Sequence, residues 1–225
     1  MNIYVVARQL ALPNNDIPQR MIDAVGPDHI RLIVEPTATI IEWRDAILAQ
    51  LFTRNVPYGS IHRLYLSAHG SGGYVGIGQG LTDEVVRDLA PLAAWFRPYA
   101  GIPASIVLSG CNVASLYSIE RADGSRDGVL CSGWHTPESS WLPNRPQDRG
   151  REVTVGHAGE PITSSYAFQL LYQLARTFHA SAIAGVNSQP NGIEWNVLGP
   201  SLTVQPDGRF SLFGVELNDP HSGER

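Results

Sequence analysis

The stretch LYLSAHGSGG, residues 64–73, is an apolar run that ends in a histidine and continues almost without side chains. In a second stretch, SIVLSGCNVAS at residues 105–115, an apolar run ends in Gly-Cys at residues 110–111. Short, nearly continuous runs of Val, Ile and Leu are typical of strands buried on both faces of a parallel sheet. Side chains just past the carboxyl ends of such strands project into the crevice where ligands bind. If the two strands are neighbours, His69 and Cys111 share one rim of the sheet.

Five such runs predict the strands of this sheet. They are residues 3–7, 31–35, 62–67, 105–109 and 181–186. Helical patterns alternate with them: 19–25 after Pro18, 40–52, 82–99 with Thr82 as its cap and a restart at Pro91, and 166–178 opened by Ser164 or Ser165. This alternation predicts an α/β fold, with a mostly parallel sheet flanked by helices on both faces. The turn QPDGRF, residues 205–210, predicts a C-terminal β-hairpin.

Composition narrows the class of protein. The chain has 225 residues, of which 43% are hydrophobic and 16% charged, as expected for one globular domain over 1–225. A net charge of −5 without a basic block argues against a nucleic-acid partner. The apolar runs are too short for a membrane span. The first residues, MNIYVVARQL, lack a basic leader and predict a first strand, so we expect a cytoplasmic protein.

Residues 118–163 interrupt the alternation of strands and helices. They are rich in Gly, Pro, Asp and Arg and have little periodicity. A segment of this kind inside a compact domain is usually functional or disordered. Because it follows Cys111 directly, we predict a long loop that borders the site. Cleavage or docking of a partner at 118–160, self-cleavage included, is a hypothesis for activation.

His69 and Cys111 are a plausible pair for nucleophilic catalysis. A thiol becomes a nucleophile when a nearby imidazole holds or relays its proton. Gly70 has no Cβ, so its N–H can approach a substrate carbonyl and form an oxyanion hole with the Cys111 N–H. Such a hole often lowers the barrier by roughly 3–4 kcal/mol. His69 precedes Cys111 by 42 residues, which fits one strand–helix–strand crossover.

Metal and disulfide chemistry find no support in the sequence. The seven histidines show no H-x-x-x-H spacing and the two cysteines form no C-x-x-C pair, so we expect no metal and no cofactor. Two cysteines do not make a disulfide framework, and Cys131 is interpreted as a small buried hydrophobe.

The segments YLSAHGSGG, residues 65–73, and IVLSGCNVA, residues 106–114, resemble the caspase-like clan of cysteine peptidases. That clan includes caspases, gingipains, separase and CHAT domains. In it, one apolar strand ends in His-Gly and the next ends in a small residue and Cys. The chain is most similar to the bacterial CHAT-like branch. The similarity covers residues 60–115 and extends loosely over 164–213; the Q-A-C-x-G pentapeptide of caspases themselves is absent.

The resemblance implies a role for each matched residue. His69 is the general acid and base, Cys111 the nucleophile, and Gly70 an oxyanion-hole donor, with no third catalytic residue. Ser109 matches a position that often lines the pocket for the residue before the cleaved bond. Arg20, in NNDIPQR, resembles an arginine that binds an acidic side chain there. The competing interpretations are a plain strand-end serine for Ser109 and a solvated arginine on a helix for Arg20.

The sequence therefore predicts a thiol-dependent endopeptidase that acts on protein or peptide substrates. Two alternatives stay open. One is a non-catalytic interaction or scaffold domain on the same fold, and the other is a thiol acyltransferase or amidase that uses the same dyad.

Overall fold

A computed structural model of the chain describes residues 1–8, 28–96, 104–110, 113–114, 117–120, 126–129, 153–155, 165–185, 197, 201–212 and 215–216. Its centre is one eight-stranded sheet. The parallel strands, in chain order, are β1 (Asn2–Ala7), β2 (His29–Val34), β3 (Arg63–Ser67), β6 (Ser105–Leu108) and β10 (Ser181–Gly185). All five predicted strands are confirmed to within about two residues at either end.

The order of strands across the sheet differs from their order along the chain. Reading across, the order is β2-β1-β3-β6-β10, followed by three antiparallel strands. These are β11 (Ser201–Val204), β12 (Phe210–Leu212) and β13 (Val215–Glu216). The turn between β11 and β12 places Gly208 at a φ of +88°, a value that glycine adopts without strain. The predicted mostly parallel sheet and the C-terminal hairpin are both confirmed.

Within the described residues, three helices pack on the sheet. Helix α1 (Ile40–Thr53) begins with a capping box, in which Thr39 Oγ1 accepts from the Glu42 N–H and Glu42 accepts from the Thr39 N–H at 2.7 Å. Helix α2 (Tyr166–Phe178) begins at Ser165, whose hydroxyl accepts from the Phe168 N–H. Of Ser164 and Ser165, the two residues predicted to open this helix, Ser165 is the cap.

The segment between β3 and β6 forms a 3₁₀ helix, Val86–Trp95. The prediction that Thr82 caps this helix is wrong, because the helix begins four residues later, after Val85, which makes no side-chain cap. Pro91 lies inside the helix and does not restart it. Proline has no N–H to donate, and the buried side chains of this helix recur at every third residue, which is the period of 3₁₀ winding.

The described helices all bury their apolar sides in one core. Alternate sheet residues belong to the same cluster: Ile3, Val5, Leu64, Leu66, Ile106, Leu108, Ala182 and Ala184. Their neighbours Tyr4, Tyr65 and Val107 are also buried but face the opposite side of the sheet. The α/β class is therefore shown, with helices on one face. The helix predicted at 19–25 lies outside the described residues, so helices on the second face stay a prediction.

Strand β2 ends the described sheet, and side chains of α1 cover its open edge. The Asn2 N–H donates to the Asp28 carbonyl, so the alternation of a parallel ladder turns the carbonyls of His29 and Arg31 outward. Arg54 Nη1 donates to the first at 2.8 Å, and Gln50 Nε2 donates to the second at 3.3 Å. An open edge is a template for pairing with another chain, and these two contacts occupy part of it.

Candidate active site

The two strands that precede His69 and Cys111 are adjacent and parallel. Leu66 of β3 pairs with Leu108 of β6, and the ladder extends one step further as the Ser109 N–H donates to the Leu66 carbonyl at 2.8 Å. The carboxyl ends of both strands therefore meet at the same edge of the sheet. The two strands are therefore neighbours, as a shared rim for His69 and Cys111 requires.

Beyond this edge the segments that follow β3 and β6 approach each other closely. A Cβ built on Gly110 would lie 3.4 Å from the Cα of Gly70, 3.0 Å from the carbonyl oxygen of Ala68 and 2.8 Å from Val113 Cγ2. Gly70 directly follows His69, and Gly110 directly precedes Cys111. Since consecutive Cα atoms are about 3.8 Å apart, the candidate base and the candidate nucleophile each stand one residue from this contact.

A tight hairpin follows His69 and fixes the direction of the Gly70 peptide. Strands β4 (Gly70–Ser71) and β5 (Tyr74–Val75) pair across a two-residue turn. The Gly76 N–H donates to the His69 carbonyl at 2.7 Å, whereas Val75 exchanges both backbone hydrogen bonds with Leu81. Gly70 and Val75 are thus the non-hydrogen-bonded pair of the hairpin. The Gly70 N–H consequently points away from β5, as an oxyanion-hole donor must.

The turn of this hairpin is tied to the segment after Cys111. The Gly73 N–H donates to the Val113 carbonyl at 2.9 Å, and the next residue, Ala114, donates to the Gly185 carbonyl at the end of β10. Gly73 has a φ of +70°, and a Cβ there would lie 2.6 Å from the backbone of Tyr166 in the first turn of α2. The last glycine of HGSGG is therefore required by packing.

Of the five site residues predicted from the sequence, the structure describes His69, Gly70 and Ser109. His69 is exposed and Gly70 is partly buried, both at the carboxyl edge. Ser109 is fully buried at the end of β6, and its lining of a substrate pocket stays a prediction. Cys111 and Arg20 lie outside the described residues, so the dyad and the acidic pocket stay predictions as well.

Sequence reasoning missed an ion pair at the same edge. Arg8 follows β1 and Glu35 follows β2, and these strands pair in register up to Ala7 and Val34. Arg8 Nε donates to Glu35 Oε1 at 2.7 Å. This hydrogen bond holds the pKa of Glu35 below its ordinary value and raises that of Arg8. The signal in the sequence was a charged residue directly after each apolar strand.

Part of the segment predicted as a long loop forms strands. A three-stranded antiparallel sheet contains β7 (Tyr117–Glu120), β8 (Arg126–Val129) and β9 (Val153–Val155). The backbone of β8 lies beside β4, next to the glycine that follows His69. The segment is therefore not structureless throughout, and its role as a loop that borders the active site stays a prediction.

Comparisons with family models, with curated proteins and with solved structures gave no match for this chain. In the described part of the chain, no helix is both long and apolar enough to cross a bilayer.

Proposed function

We propose that this chain is a thiol-dependent endopeptidase of the caspase-like clan, with Cys111 as nucleophile and His69 as general acid and base. The observation that carries the proposal is the close approach of Gly110 and Gly70, since a Cβ built on Gly110 would lie 3.4 Å from the Gly70 Cα. It brings the residue before the thiol against the residue after the imidazole.

The sheet also supports the caspase-like arrangement. The strand that ends in His-Gly is the immediate parallel neighbour of the strand that ends in Gly-Cys, as the resemblance implies. The connection between them passes through the 3₁₀ helix on one face of the sheet. These features are compatible with the clan, and its assignment remains part of the proposal.

In the first half of the reaction, the Cys111 sulfur attacks the carbonyl carbon of the scissile peptide bond. The thiol proton passes to His69. The carbonyl oxygen becomes an oxyanion, which the N–H groups of Gly70 and Cys111 stabilise. The C–N bond then breaks, His69 donates its proton to the leaving amine, and a thioester on Cys111 remains.

In the second half, water attacks the thioester carbonyl and gives its proton to His69. The C–S bond breaks, the acid product leaves, and the sulfur recovers the proton from the imidazole. An exposed His69 is suited to this step because water reaches it directly. We further propose protein or peptide substrates in the cytoplasm, without a nucleic-acid partner, a membrane partner or a cofactor.

A positional-scanning peptide library incubated with the purified protein tests this proposal. The blank is Cys111→Ala, and the matched control is Cys131→Ala, which removes the other cysteine. We expect cleavage of a subset of peptides by the wild type and by Cys131→Ala, and none by Cys111→Ala. Cleavage that persists in Cys111→Ala contradicts the proposal. No cleavage at all, together with ordinary thiol reactivity of Cys111, favours the interaction domain instead.

A further inference from the structure

We infer that Gly110 is a positioning residue: its missing side chain sets the separation between His69 and Cys111. The inference rests on the proposed function, because it concerns the same dyad. It assigns a role to a residue that does not itself touch the substrate.

The contacts around Gly110 come from three separate segments. One is the end of β3, through the carbonyl oxygen of Ala68 at 3.0 Å from a built Cβ. The second is the hairpin after His69, through the Cα of Gly70 at 3.4 Å. The third is the turn after Cys111, through Val113 Cγ2 at 2.8 Å. The Ala68 oxygen belongs to the backbone and cannot rotate out of the way as a side chain does, whereas 3.4 Å to the Gly70 Cα is an ordinary contact.

Backbone strain does not explain the glycine. Its φ lies outside the left-handed region, unlike that of Gly73. Gly110 is also fully enclosed at this edge of the sheet. A methyl group at 110 would therefore lie closer than ordinary contact to the Val113 side chain and to the Ala68 carbonyl, and both would have to shift to admit it.

Adding one methyl group should consequently push the loop of His69 away from β6. The Ala68 carbonyl and the Gly70 Cα both lie on the chain that carries the imidazole, so they move together. A displacement of about 1 Å between catalytic groups can cost about a hundredfold in rate. A carbonyl 3.0 Å from the added methyl group has to give by only a few tenths of an ångström, so we expect Gly110→Ala to lower kcat/KM by less than that, about tenfold.

The rate of iodoacetamide labelling of Cys111 against pH, followed by peptide mass mapping to separate it from Cys131, tests the inference. Four proteins are compared: wild type, His69→Ala, Gly110→Ala and Gly110→Ala/Val113→Ala. In the wild type the apparent pKa of the thiol should be depressed, and His69→Ala should return it toward the ordinary value. Gly110→Ala should resemble His69→Ala, and the double variant, which removes the shortest contact, should recover part of the depression.

The outcomes separate the two proposals. A wild-type profile that His69→Ala does not change contradicts the dyad and with it the proposed function. A profile that depends on His69 but is unchanged by Gly110→Ala overturns the positioning role and leaves the dyad standing. Gly208→Ala, a glycine variant in the remote hairpin, controls for a general loss of stability.

A measurement on the wild type covers the case in which Gly110→Ala does not fold. The contact predicts a nuclear Overhauser effect between the Hα protons of Gly70 and Gly110. Its presence supports the close approach, and its absence in an assigned spectrum refutes the inference without any substitution.

Discussion

The backbone N–H of Gly73 donates a hydrogen bond of 2.9 Å to the carbonyl of Val113. Gly73 lies four residues after His69, and Val113 lies two residues after Cys111. The two loops of the candidate site are thus joined twice, once by this hydrogen bond and once by the contact between Gly70 and Gly110. Both features restrain the hairpin after His69 relative to the end of β6, and such restraint is what a two-residue catalytic site would require.

Replacement of Gly73 by alanine should destabilise the protein strongly. A positive φ and a clash with the Tyr166 backbone act together, and we expect a loss of about 3 kcal/mol. The melting temperature should fall by roughly 10 °C. Gly208→Ala, which shares the positive φ but has more space, should lose only about 1 kcal/mol. Equal melting temperatures for the two variants would show that Gly73 is not held against α2.

Replacement of His69 by alanine should separate activity from stability. The side chain is exposed, and exposed positions usually contribute within about 0.5 kcal/mol to folding. We therefore expect a melting temperature within about 2 °C of the wild type, with peptide cleavage lost. Thermal unfolding and library cleavage on the same preparation check this. A large drop in melting temperature would assign His69 a structural role.

The capping box of α1 predicts a pH-dependent contribution to stability. Hydrogen bonds from the Thr39 backbone and hydroxyl hold the pKa of Glu42 below its ordinary value of 4.5. A folded-state pKa below the unfolded one stabilises at higher pH, and this contribution is lost as the pH falls through the lowered pKa. The difference in melting temperature between wild type and Glu42→Ala should thus be largest near neutral pH and should shrink below pH 4.5. A difference that grows on acidification contradicts the sign.

The threonine that caps α1 allows a second test of how much this cap stabilises the protein. Thr39→Ala removes the hydroxyl that accepts from the Glu42 N–H. We expect a loss of about 1 kcal/mol in the free energy of unfolding, measured with urea near neutral pH. Thr53→Ala, at the other end of the same helix, is the matched control and should have little effect. The prediction fails if the two variants are equally stable.

The side chains that cover the edge of β2 should limit self-association. Gln50→Ala/Arg54→Ala exposes the outward carbonyls of His29 and Arg31 to another strand. Sedimentation velocity over a range of protein concentrations should show more association for the double variant than for the wild type. Arg44→Ala on the same helix serves as the control for loss of a positive charge. If all three proteins sediment identically, the side chains of Gln50 and Arg54 do not limit self-association at this edge.

The sequence predicted the sheet because its strands are unambiguous. Runs such as IYVVA in β1 and SIVL in β6 are short and apolar, so local pattern and tertiary environment agree. The helix after β3 was harder. Thr82 with two following acidic residues is a good local start signal, yet the chain winds from Val86 as a 3₁₀ helix to bury Leu89 and Leu92. Packing overrode propensity there.

The sequence predicted at which edge of the sheet the candidate site lies, but not why its glycines are needed. The order of a histidine and a cysteine after two apolar runs indicated a shared rim, and the pairing of Leu66 with Leu108 bears out the adjacency of those strands. The reasons for the glycines were not accessible. Gly73 and Gly110 are fixed by neighbours distant in the sequence, Tyr166 for one and Gly70 for the other, and no local pattern reports such contacts.

The proposed mechanism requires an acyl-enzyme at Cys111, and rapid acid quenching followed by mass spectrometry tests this directly. The wild type is mixed with the best peptide substrate as its ester and quenched within the first turnover. We predict an added mass equal to the acyl group, mapped to Cys111, absent from Cys111→Ala and formed far more slowly by His69→Ala. Turnover without an adduct, an adduct on Cys131, or formation unaffected by His69→Ala would contradict the account.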